Sequence, residues 1–132
     1  MLKYAAYLGI FILVIHFIGI YYSLYITLGW LDISMHMLGG LWVGLILAHF
    51  FGKRLGIIDL RQNLWLTLFL VLGTTTVVGA FWEFYEFSIS QLAPTFTHLF
   101  TKGNMELGDT LKDLLDDMVG ASIAGLIAYF RS

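Results

Sequence analysis

Asp32, His36, Glu83, Glu86, Asp109, Asp113, Asp116 and Asp117 are the residues whose types and spacing suit chemistry in this chain. Carboxylate oxygens joined by one imidazole are the donor set of a hard divalent cation such as Mg, Mn, Ca, Fe or Zn. Asp32 and His36 are four residues apart, and Glu83 and Glu86 three, so each pair shares one face of a helix. Asp109, Asp113 and Asp116 fall within about 60° of one another on a helix that advances 100° per residue, with Asp117 at the edge of that stripe. Carboxylates on adjacent turns repel one another unless a proton or a cation comes between them.

The elements that must position these residues are set by an apolar composition. Hydrophobic residues make up 59% of the 132, charged residues only 12%, and the mean hydropathy is +0.84. A soluble domain of this size needs a more heavily charged surface. The chain therefore reads as one integral membrane domain, residues 1–132, without room for a separate soluble catalytic domain. The net charge of −2 offers no basic patch for nucleic acid. The absence of cysteine excludes disulfides and thiolate-bound metal.

Four hydrophobic runs, about 4–29, 33–51, 64–89 and 108–130, are each long enough for a span of roughly 20 residues. They lack the alternation of a barrel, and helices are the other way to satisfy the backbone in lipid. The expected fold is all-α: a polytopic membrane protein with a bundle of four transmembrane helices. Gly29, Trp30 and Leu31 are expected to join the first two helices, and a longer loop with Pro94 the last two. The first run exceeds a cleaved signal and reads as a helix that stays. Lys3, Lys53, Arg54, Arg61 and Arg131 fall on one side of such a bundle, Lys102 and Lys112 on the other. That asymmetry places both termini in the cytoplasm. The acidic cluster, with Glu106 as an eighth carboxylate besides His36, then lies toward the extracytoplasmic face. Of the nine acidic residues only Asp59 lies elsewhere.

Plainer roles compete with chemistry at each position. Glu106, Asp109 and Lys112 suit a solvated helix end, and Asp32 is a good helix N-cap. Lys112 is also placed to neutralise a carboxylate within a structural ion-pair network. His16 sits mid-span, while His49 and His98 fall where water reaches. Thr74, Thr75 and Thr76 are expected to bond their own helix backbone. Glycines 39, 40 and 44, and Gly120, Ala121, Ala124 and Gly125, allow close helix approach.

The run Glu83-x-x-Glu86, followed by Gly108-Asp109-x-x-x-Asp113-x-x-x-Asp117-Met118, resembles the YjdF-type family of small bacterial inner-membrane proteins. Asp32-x-x-x-His36 with Gly39 and Gly40 resembles that family's early Asp/His-Gly segment. A looser similarity links these residues to VanZ-like proteins, with Glu86 in place of a Gln and Asp117 in place of an Asn. The resemblance spans roughly residues 32–125 and implies a shared site in the inner (plasma) membrane without naming its chemistry. VanZ-like proteins are linked to glycopeptide resistance.

The expectation is a membrane-embedded site for a divalent metal ion, held by the eight residues named first and open to the outer face. Metal-assisted hydrolysis or transfer on a lipid-linked phosphate, or on another small amphiphile, is the chemistry such a site suits. A proton or cation path through the bundle and a non-catalytic membrane subunit are the rival readings. The bilayer is the certain partner, and a homo-oligomer is open to the chain.

Overall fold

The computed structural model describes residues 2–56, 59–92 and 107–131. The loop expected between the last two helices, with Pro94, His98, Lys102 and Glu106, lies outside them. Every element among the described residues is helical: α1 (Leu2–Tyr21), a single turn α2 (Leu24–Thr27), α3 (Gly29–His49), α4 (Leu64–Leu92) and α5 (Leu107–Arg131). One π-type turn, Phe50–Arg54, prolongs α3.

Three of these helices are long and apolar enough to cross a membrane: α1, α3 with its π turn over Gly29–Arg54, and α4, which has 29 residues. Their outward faces carry large apolar side chains such as Phe11, Phe69 and Phe84, as lipid contact requires. The fourth expected span, α5, has the length but not the composition. Asp109, Lys112, Asp113, Asp116 and Asp117 crowd its first half.

The first run does not form one helix over 4–29. It breaks after Tyr21, where Ser23 takes a left-handed backbone (φ 52°). The chain then folds back so that the Tyr25 ring packs on Gly19, where a Cβ would come within 2.8 Å of it. As a result α3 starts at Gly29 rather than at 33, and Gly29, Trp30 and Leu31 form its first turn instead of a loop. Leu28 occupies the N-cap without a side-chain bond, so Asp32 is not the cap. At α4 the cap is polar: Asn63 Oδ1 accepts the Leu66 N–H at 3.0 Å, satisfying one of the donors a helix start leaves open.

The centre of the molecule is the contact between α3 and α5. Gly40 lies against the Asp117 backbone, and Gly120 against the backbone of Met37 and Leu41. A Cβ at either glycine would overlap main-chain atoms, so the two helices meet backbone to backbone, as small residues permit in membrane bundles. Gly44 continues the seam against Ala121 and Ala124. Along it, Leu45, Ala48, Val71, Ala121, Ala124 and Ala128 form an apolar core beneath the acidic residues. Leu60, from the connection into α4, closes that core, and its carbonyl accepts the Thr67 hydroxyl at 2.9 Å.

Candidate metal and ligand site

His36 is the hub. It is buried, about two turns into α3, and faces carboxylates from its own helix and from α5. Nε2 lies 3.8 Å from Asp32 Oδ1 on its own helix and 3.8 Å from Asp113 Oδ2 on α5. Nδ1 lies 3.5 Å from Asp117 Oδ1. Asp117 reaches this place because α4 makes room for it. A Cβ at Gly79 would overlap its carboxylate. Thus Gly40 admits the backbone of Asp117 and Gly79 its side chain.

Lys112 supplies a cation at the same end. Its Nζ is 3.1 Å from Asp32 Oδ2 and 3.5 Å from Asp109 Oδ1, and it is also hydrogen-bonded to Asp113 Oδ1. Three of the eight predicted residues are therefore already partnered by an ammonium.

Glu83 and Glu86 lie on α4 at the level of His36 and differ from one another. Glu83 is only 5% exposed, and neither carboxylate oxygen has a hydrogen-bond partner among the described residues. The Thr110 side chain of α5 lies near it without closing such a bond. Glu86 is half-buried, and its Oε1 accepts the Trp82 indole N–H at 3.0 Å. Two sets of three donors each bring their ligand atoms within 4.8 Å of one another: Asp32, His36 and Asp113, and His36, Glu83 and Glu86.

The aspartate stripe of α5 is rotated from its expected position. Its inward face runs Asp113, Asp117, Gly120, Ala121, Ala124 and on to Ala128, so it centres on Asp117. Asp116 lies to one side, half-buried, with Oδ2 buried and without a partner. The Asp109 side chain is 54% exposed and pairs with Lys112. Structure thus brings together Asp32, His36, Glu83, Glu86, Asp113 and Asp117, and leaves Asp109 and Asp116 at the margin.

Beside the cluster lies a cavity of about 280 Å³ between α1, α3 and α4. His16 borders it, with Nδ1 2.8 Å from the Tyr25 hydroxyl. The Tyr25 phenol is pushed up to about 12 by its burial and by the Asp32 and Glu86 charges. Thr74 and Thr76 bond their own helix backbone as expected. Thr75 does not: it is buried against the cavity and its hydroxyl has no partner. An unmet buried hydroxyl costs about 1–3 kcal/mol. Tyr25, Thr75 and Gly79 were not legible as site residues from spacing, because their roles come from the fold-back after Tyr21 and from the α4–α5 contact. His49, expected in water, has a buried Nδ1.

An all-helical chain with lipid-facing apolar helices and a buried acid/imidazole cluster is an integral membrane protein. All of it, residues 1–132, matches the family described as "Predicted membrane protein (DUF2238)", and the chain belongs to that family. This is the YjdF-like family that the Glu pair and the spaced aspartates resemble, while the VanZ-like similarity has no counterpart among the matches. No curated protein and no solved structure matches the chain.

Proposed function

We propose that the chain is a four-span protein of a bacterial-type inner membrane that holds a divalent cation on His36, Glu83 and Glu86. Both termini face the cytoplasm in this reading, following the basic residues, and the cluster lies toward the other face. Asp117, at Nδ1, stands behind His36 and orients its ring, as carboxylates do behind metal-bound histidines, which leaves Nε2 for the cation. Asp32 and Asp109 are left to Lys112. A cation placed here would act on an amphiphile reaching it through the adjoining cavity. On a lipid-linked phosphate it would offset charge and activate water, with a carboxylate as base.

The observation that carries this reading is Glu83. Two carboxylate oxygens, buried and without a partner, are costly unless a proton or cation meets them. Lys112 reaches Asp32, Asp109 and Asp113, so it leaves the Glu83 side unmatched.

The test is the metal content of the purified protein, by inductively coupled plasma mass spectrometry, beside a Glu83→Gln/Asp113→Asn variant that preserves side-chain shape. Stoichiometric metal in the parent and its loss in a variant of unchanged helicity are expected. Metal retained in the variant, or none in the parent after reconstitution with Mg, Mn, Ca, Zn and Fe, would overturn the metal reading. The Lys112 contacts favour a second reading, a static ion-pair network in a non-catalytic subunit. It expects no metal and a parent protein that unfolds when Lys112 is neutralised.

A further inference from the structure

We infer that the cavity between α1, α3 and α4 binds an amphiphile with an ammonium head, seated at Glu86, its apolar tail running toward Thr75. The cavity is a slot with two unlike ends. Its α3 wall extends from Asp32 to Val43 and its α4 wall from Glu86 to Thr75. Eleven residues of helix rise about 16 Å, so the slot is long relative to its volume of about 280 Å³. Ligand cavities usually run from about 300 to 1,000 Å³, which restricts this one to a slim occupant. Asp32, Glu86, Tyr25 and Trp82 stand at one end; Ile12, Val43 and Val78 line the part toward the other. A polar end joined to an apolar shaft is the shape of a head and a tail.

Charge selects the head. Of the carboxylates bordering the slot, Asp32 has Lys112 and Asp117 has His36. Glu86 accepts the neutral Trp82 indole N–H and forms no ion pair among the described residues; the His36 ring, within 4.8 Å of it, is shared with Asp113 and Asp117. A cation arriving there meets an unmatched carboxylate beside the Trp82 and Tyr25 rings, and aromatic faces attract ammonium groups. In the slot without metal, a phosphate head would meet the same carboxylates as like charges, which costs binding energy. At the far end the Thr75 hydroxyl, 1% exposed and unpartnered, faces the slot. An alkyl tail that reaches it offers that hydroxyl no hydrogen bond, so the head end alone selects the occupant. The inference does not depend on the metal. Both cations would use Glu86, so they compete, and the slot is tested without metal.

The experiment is a titration of the purified full chain, in neutral detergent with chelator, with hexylammonium, hexyl phosphate and hexyl glucoside as probes. Trp42 and Trp82 border the slot, so tryptophan fluorescence reads occupancy. Saturable quenching by hexylammonium is expected, at least tenfold weaker in Glu86→Gln. Gly39→Leu should abolish it. Gly39 borders the slot, and a Cβ there meets only Asp117 Oδ1, at 4.0 Å, so a larger side chain has room to start into the slot. Equal response to the glucoside, preferred binding of the phosphate, unchanged binding in either variant, or no saturable response would each overturn the inference. Metal content of separate, chelator-free samples decides the metal reading independently.

Discussion

At the scale of single residues, the site is a contest between charges that the bundle cannot leave bare. Lys112 settles part of it by meeting Asp32, Asp109 and Asp113 at once. Its side chain is 38% exposed, so water screens these contacts. Breaking a fully buried pair costs about 3–5 kcal/mol, and exposed pairs contribute under about 1 kcal/mol. Lys112→Met should fall between, lowering stability by roughly 1–2 kcal/mol, read from thermal unfolding in detergent. An unchanged midpoint would show that these contacts contribute nothing. The pairs Asp32–His36 and Glu83–Glu86 were legible in the sequence because side chains three or four apart must share a helix face. Which oxygens would find partners was not. Glu86 meets Trp82 four residues back on its own helix, while Glu83, buried beside Thr110 of α5, finds no partner among the described residues.

At the scale of elements, the α3–α5 seam fixes the register of the site. Gly40 and Gly120 each admit the other helix's backbone, so α5 cannot slide along α3 without a collision. That interlock sets Asp113 and Asp117 opposite His36. Gly40→Ala should cost about 2–3 kcal/mol, as overpacking in tight interiors does, and should reduce metal or ligand binding with it. Gly39→Ala, one residue away with room for its methyl, should change unfolding by under about 1 kcal/mol. Equal effects would refute the interlock. The sequence marked the start of α4 and the small residues of α5 well, because apolar length and glycine spacing are local signals, but it began α3 four residues late. It misplaced the end of α1, since a single Ser23 within the apolar run of residues 4–29 is a weak stop signal. The break comes instead from Tyr25 packing back on Gly19. It also centred the aspartate stripe on charge rather than on the small residues that continue the buried face beyond Asp117.

At the scale of the whole molecule, the open element is α5, whose first half is charged while its second half is apolar. Four spans require the two chain ends and the Phe50–Arg54 turn to share one side of the membrane. A chain without cysteine makes this simple to check. Lys3→Cys, Arg54→Cys and Arg131→Cys should all resist a membrane-impermeant maleimide in intact cells and label after lysis. Labelling of Arg131→Cys alone in intact cells would mean that α5 does not cross. The result also bears on the cluster: the acidic half of α5 is tolerable at membrane depth only with α3 and α4 around it.

The 29 residues of α4 bring the surrounding lipid into the account. Such a helix is about 43 Å long, against a hydrocarbon layer of about 30 Å. It therefore leans, or carries its Glu83–Leu92 end out among the headgroups. Leaning tightens or relaxes as the bilayer thins or thickens. Because α4 carries one wall of the slot and both glutamates, lipid chain length becomes a dial on how far Glu86 stands from Asp32.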